Sequence, residues 1–243
     1  MQIHGLATVP ASVELGDFDP SATAIAIAPG GAASLLPADA LARTYDAYRD
    51  DFRKRRAGEI AWDAYTPYEL RNAEALVHLG RRDEALFVLT SILSDQRPLG
   101  WRQWGEIVWR DAAAPRVVGD MPHAWIAAGF VNAALALFAH EREDGALLVA
   151  PGIPLAWATA PDGVAVGALR THYGPLSYAL RAAGERRLVV AIAAGTAIPP
   201  QGVVVRSPAT PLRAARVNGR PAAEWSTDSV TVRALPATVV LEY

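Results

Sequence analysis

Apolar positions recur at helical spacing through the first 143 residues, and after residue 144 they give way to short Val-rich runs broken by Gly and Pro. Over 37–55, Leu41, Tyr45, Tyr48 and Phe52 fall at steps of three and four, which predicts one buried helical face. Thr66-Pro67-Tyr68-Glu69 predicts the next helix start: Thr66 can cap, Pro67 suits the first helical position, and Glu69 can reach back to complete a capping box. That helix runs to about Leu79, where Gly80 permits a left-handed turn. A third helix follows with Ala85, Leu86, Leu89 and Leu93 on one face, so 66–95 is expected to be an antiparallel helical hairpin. A fourth begins near Pro122, with Asp120 as its candidate cap, and carries Trp125, Phe130 and Leu137 to about His140. Residues 12–36 show no clear period; 17–20 reads as a turn and 24–28 as a short buried segment.

The tail predicts strands at 164–169, 188–193, 202–206, 230–235 and 238–243. Asn218-Gly219 is a hairpin signal, because both residues tolerate positive φ. Short strands at this spacing suggest a sandwich. The expected fold is therefore multidomain α plus β: helical hairpins over 1–143, then an antiparallel β-sandwich over 144–243.

Composition narrows the function. The chain has 243 residues, 51% hydrophobic and 20% charged, enough to bury a real core. A net charge of -2 gives no clustered positive surface for nucleic acid. Cysteine is absent, which excludes disulfides and thiolate chemistry. No run approaches the roughly 20 apolar residues that span a bilayer. Residues 1–10 lack the basic and apolar regions of a signal peptide, so the expected setting is the bacterial cytoplasm, or export within a longer precursor. Lys54 is the sole lysine amid abundant Ala and Arg, which reads as GC-rich bacterial coding bias.

The chemistry concentrates around the long connection 96–121, a length that in a compact domain usually signals function or disorder. Trp62, Trp101, Trp104, Trp109 and Trp125 crowd 62–125. Indole faces stack on the C–H faces of sugars, and nearby acidic, amide and basic groups bind the hydroxyls; the competing reading is large core residues under a loop. Glu106, in Gly100-Trp101-Arg102-Gln103-Trp104-Gly105-Glu106, is either a carboxylate tuned for acid–base work by its aromatic surroundings or a structural partner of Arg102 or Arg110. Asp120 and His123, in Gly119-Asp120-Met121-Pro122-His123, are either sugar-binding groups or a helix cap and a structural histidine. Asp63 sits beside Trp62 ahead of a helix, where a loop could turn it into a cleft, and Glu69 is either a cap or a substrate contact. His4, His78 and His172 show no metal-ligand spacing to one another.

With these motifs in place, 37–243 resembles the late part of the six-hairpin α/α-toroid glycosidases, the group that includes bacterial α-L-rhamnosidases. Trp104-Gly105-Glu106 stands where that family has a Trp-Glu pair, with Gly105 interposed, and His123 stands where it has a histidine opening an inner helix. Gly152-Ile153-Pro154, Tyr173-Gly174-Pro175-Leu176 and Val217-Asn218-Gly219 are similar to its appended β-sandwich. The resemblance implies inverting hydrolysis of a glycoside with no metal or organic cofactor, with Glu106 as general base, Asp63 as the substitute general acid, and Trp101, Trp104, Asp120 and His123 binding sugar; the residue pattern adds Trp62 and Glu69 as candidate sugar contacts. A whole toroid has about twelve helices against about four here, so the resemblance also implies self-association or a partner supplying the rest. The alternative from another class is a non-catalytic module that binds carbohydrate or a partner. The Trp-rich loop counts against a plain helical repeat, which needs no such loop.

Overall fold

The structure is a computed structural model and describes residues 1–62, 66–96, 100, 102–107 and 119–243. The chain is α plus β and divides into two compact units, Met1–Ala134 and Leu135–Tyr243. Among the described residues no helix is long and apolar enough to cross a membrane.

The first unit is helical: α1 (Pro20–Ile27), α2 (Ala38–Ala57), α3 (Glu69–His78), α4 (Arg82–Ser94) and the greater part of α5 (Ala124–Phe138). The predicted face of α2 is its core. Tyr45, Tyr48 and Phe52 are buried and touch in sequence, with ring centroids 6.1 and 5.8 Å apart. Phe52 also meets Trp62 and Phe87 edge-on at 5.6 and 5.7 Å. Side chains of this size stabilise by about 1.5–3 kcal/mol each when buried. α3 and α4 form the predicted hairpin. Gly80, at φ 73°, ends α3: Arg81 N–H returns to the Leu76 carbonyl at 2.8 Å and Gly80 N–H to Val77 at 3.0 Å.

Four local expectations are corrected. α3 begins at Glu69, because residues 66–68 enter through a tighter turn in which Leu70 and Arg71 N–H donate to the Pro67 and Tyr68 carbonyls. Glu69 therefore completes no capping box. On α4 the buried apolar residues are Ala85, Val88, Leu89 and Ile92, whereas Leu93 is exposed, so the inward face is rotated from the one expected. α5 starts at Ala124, and the His123 carbonyl takes the first helical bond from Ala127 N–H; Asp120 lies too far upstream to cap it. Residues 20–27 are a helix, capped by Asp19, which accepts from Ser21 N–H at 2.9 Å.

The second unit carries two sheets. One has the order β1 (Ala139–Glu141), β2 (Leu147–Val149), β6 (Val203–Arg206), β9 (Ser229–Val232), with β2 and β6 parallel and the other neighbours antiparallel. The other is fully antiparallel, in the order β3 (Val164–Thr171), β4 (Gly174–Ala182), β5 (Arg187–Ile192), β10 (Ala237–Glu242), β7 (Ala214–Val217), β8 (Arg220–Pro221). Alternate residues of its inner strands are buried: Leu176, Tyr178 and Leu180, then Leu188, Val190 and Ile192, then Ala237, Val239 and Leu241. Asn218-Gly219 closes the β7–β8 hairpin with φ of 51° and 79°, as the dipeptide predicted. A short helix, α6 (Leu155–Ala158), precedes β3.

Candidate functional site

The site is assembled from two chain segments and one turn. Glu106 N–H donates to the Asp120 carbonyl at 3.0 Å, Gly119 N–H to Ile107 at 3.2 Å, and His123 N–H to Trp104 at 3.1 Å. These bonds hold 104–107 against 119–123. The Thr66 hydroxyl donates to the Glu106 carbonyl at 2.8 Å and ties the turn before α3 to the pair. Gly119 is required by contact: a Cβ there would come within 2.7 Å of Glu106 Cβ and 2.9 Å of its Oε2.

The side chains converge. Ligand atoms of Glu106, Asp120 and His123 all lie within 4.8 Å of one another. His123 Nδ1 stands 3.9 Å from Asp120 Oδ2, and its Nε2 shares a 2.9 Å hydrogen bond with the Tyr68 hydroxyl. That bond fixes the ring's orientation and leaves Nδ1 towards the carboxylates. Glu106 and His123 are half-buried, whereas the Asp120 side chain is 86% exposed. The Tyr68 phenol is pushed up first by burial, then by the negative charge of Glu106, with Arg71 opposing. The Arg71 guanidinium lies 4.1 Å from the centre of the Tyr68 ring. Such a set can accept a proton at Glu106, bind a hydroxyl between His123 and Asp120, or hold a divalent cation through two carboxylates and an imidazole.

Tyr68 and Thr66 also line a cleft of about 500 Å³ along α1, α2 and α3, whose other walls include Phe18, Asp51, Arg55 and Arg71. Glu69 lies in this wall but is 8% exposed and fully engaged. It accepts from the Tyr48 hydroxyl at 2.6 Å, from Arg55 at 2.7 Å and from Asn72 at 3.3 Å.

Glu106, Asp120 and His123 are thus brought together as the sequence suggested, and the other expected residues are not. Asp63 and Trp101 lie outside the described residues. Trp104 is corrected to a core residue: it is 5% exposed, donates its indole N–H to the Ile92 carbonyl at 3.1 Å and packs on Phe130 at 5.1 Å. It supports the segment bearing Glu106 and offers no open face. Trp62 packs against Phe52 with Arg55 over its ring at 4.8 Å, so its ring too belongs to the α2 cluster. Among the described tryptophans of the helical unit, the open indole is Trp125, 69% exposed with its ring centre 6.2 Å from that of His123. Sequence reasoning missed Tyr68, Thr66 and Arg71. The signal for Thr66 and Tyr68 is the Thr66-Pro67-Tyr68-Glu69 string, which also reads as a helix start, and Arg71 lies two residues beyond it.

Compared with known proteins, the chain matches no family model, no curated protein and no solved structure.

Proposed function

We propose that the chain is the carboxy-terminal part of a glycoside hydrolase of the six-hairpin type, acting on a carbohydrate substrate by general acid–base catalysis. The observation that carries the reading is the convergence of Glu106, Asp120 and His123 beside the exposed face of Trp125. This combination of a carboxylate base, hydroxyl-binding polar groups and an aromatic platform suits a sugar better than a smaller polar substrate. On this reading the α3–α4 hairpin belongs to an α/α toroid, the two sheets pack as a β-sandwich, and self-association or a partner completes the helical ring.

The mechanism is inverting hydrolysis. Glu106 takes a proton from water, and the water oxygen bonds to the anomeric carbon from the face opposite the leaving group. The glycosidic C–O bond breaks, and the leaving oxygen receives a proton from a second carboxylic acid roughly 6.5–9.5 Å away, the role given to Asp63. His123, oriented by Tyr68, and Asp120 hold a ring hydroxyl, and Trp125 meets the apolar face of the sugar.

Glycosyl fluorides test the base separately from the acid, because fluoride departs with little protonation. The chain is expected to hydrolyse one anomer of its preferred glycosyl fluoride to the opposite anomer of the sugar, and Glu106→Gln is expected to abolish turnover while retaining binding. Turnover unchanged in Glu106→Gln removes Glu106 from the mechanism. Sugar binding without turnover of any fluoride replaces the hydrolase with a non-catalytic carbohydrate-binding module.

A further inference from the structure

The apolar face of the six-stranded sheet ends in a row of different chemistry. Leu241 stands opposite Leu188 on β5 and Ala215 on β7, and all three are buried. Two residues past Leu241 and just beyond the end of β10, Tyr243 N–H donates to the Arg186 carbonyl at 3.1 Å, which places Tyr243 opposite Arg186 and on the Leu241–Leu188 face. On the other side of β10, Arg213 N–H donates to the Glu242 carbonyl at 2.8 Å. The core face thus runs out into a tyrosine flanked by two arginines.

Tyr243, Arg186 and Arg213 line a cleft of about 320 Å³ together with Leu155, Pro211 and Arg187. That volume lies near the lower end of the range for small-molecule sites. The Tyr243 hydroxyl is held 2.8 Å from the buried Ser207 Oγ, which fixes the ring. Arg187 is engaged with Glu242 at 3.3 Å. Arg186 and Arg213 are exposed and form no ion pair among the described residues. The cleft wall carries one carboxylate side chain, Glu185.

We propose that this cleft binds a carboxylate-bearing saccharide, a uronic-acid unit. The Arg186 and Arg213 guanidinium groups take the carboxylate through paired N–H donors, and Tyr243, Leu155 and Pro211 meet the apolar face of the ring. The saccharide half of this assignment rests on the carbohydrate reading above; the anion half rests on the placement of the arginines alone. A polynucleotide fits less well, because it needs a long track of positive charge, whereas this chain carries a net -2 and the arginines form one local group.

Titration calorimetry of the whole chain at low salt, with trigalacturonate as probe and neutral galactotriose as control, tests the proposal. Trigalacturonate is expected to bind, and galactotriose to bind at least about tenfold more weakly. Arg186→Ala/Arg213→Ala is expected to lower trigalacturonate affinity about tenfold or more. Arg186→Lys/Arg213→Lys, which keeps charge but loses the planar fork, is expected to fall between. Binding of trigalacturonate is expected to survive His123→Ala, which removes the sugar response of the helical site and so separates the two. Any one of four results overturns the proposal: no binding of trigalacturonate, equal binding of galactotriose, wild-type affinity in the alanine pair, or equally tight binding of inorganic phosphate or oligothymidylate. Failure of glycosyl fluoride hydrolysis with trigalacturonate binding intact sinks the hydrolase reading and leaves this cleft standing.

Discussion

Two glutamates of the helical unit, Glu69 and Glu106, are both tied to the turn before α3, yet their surroundings are opposite in kind. Glu69 is buried and saturated, with Tyr48, Arg55 and Asn72 all donating to its carboxylate. Glu106 has its backbone pinned by Asp120 and Thr66, while its carboxylate is half-buried and meets no hydrogen-bond donor among the described residues. A saturated carboxylate stabilises the fold and has no capacity left for a ligand. One whose backbone is fixed while its oxygens stay available is arranged for binding or proton transfer. The same side chain, within one unit, is thus structural at one position and a candidate reactive group at the other.

The largest expected effect follows from cutting the saturated member. Glu69→Ala removes the carboxylate that accepts from the buried Tyr48 hydroxyl and from Arg55 and is expected to destabilise the helical unit by about 3 kcal/mol, measured by urea unfolding. Glu106→Ala is expected to cost less than about 1 kcal/mol in the same assay. Equal costs erase the distinction between the two glutamates.

Gly119→Ala sharpens the contrast from the other side. Its Cβ would press on Glu106 Cβ and Oε2, so it is expected to cost about 2 kcal/mol and to abolish any sugar response. A crystal structure of the variant with Glu106 unmoved rejects that account.

Glu74, further along α3, is a third case: burial alone pushes its carboxyl up from 4.5 to about 7. The folded state therefore holds its proton more tightly than the unfolded chain. Its contribution to stability is fully present below about pH 4.5 and is lost as pH rises through about 7. Glu74→Gln is expected to flatten that slope in unfolding curves taken between pH 4.5 and 8; an unchanged slope rejects the assignment.

Tyr68→Phe is expected to cost about 1 kcal/mol of stability, because it removes one hydroxyl from His123 Nε2. Its effect on sugar affinity is expected to exceed its effect on unfolding, and the reverse order makes Tyr68 a structural residue only.

Much of the helical unit was legible because its core follows a period. Tyr45, Tyr48 and Phe52 repeat at helical steps, and Gly80 marks the αL turn that ends α3. α1 was not legible, since its Ala and Ile positions alternate without a dominant face. β4 was not among the expected strands: it opens on Gly174-Pro175, a dipeptide that ordinarily marks a turn, yet these residues start a nine-residue strand. In the candidate site, Glu106 and His123 were readable from their motifs. Their separation in sequence hid Tyr68, which reaches His123 from 55 residues away. Tryptophan identity could not separate a buried Trp104 from an exposed Trp125 either, because that difference depends on which face of the chain each segment presents.

Trp125 stands beside His123 and so reports on the site directly. The most direct measurement is a tryptophan fluorescence titration of the chain with rhamnose, glucose, galactose and arabinose, repeated on His123→Ala and Glu69→Gln. A saturable change is expected with at least one sugar, lost in His123→Ala and retained in Glu69→Gln. A flat titration with all four sugars, or a response that survives His123→Ala unchanged, contradicts that expectation.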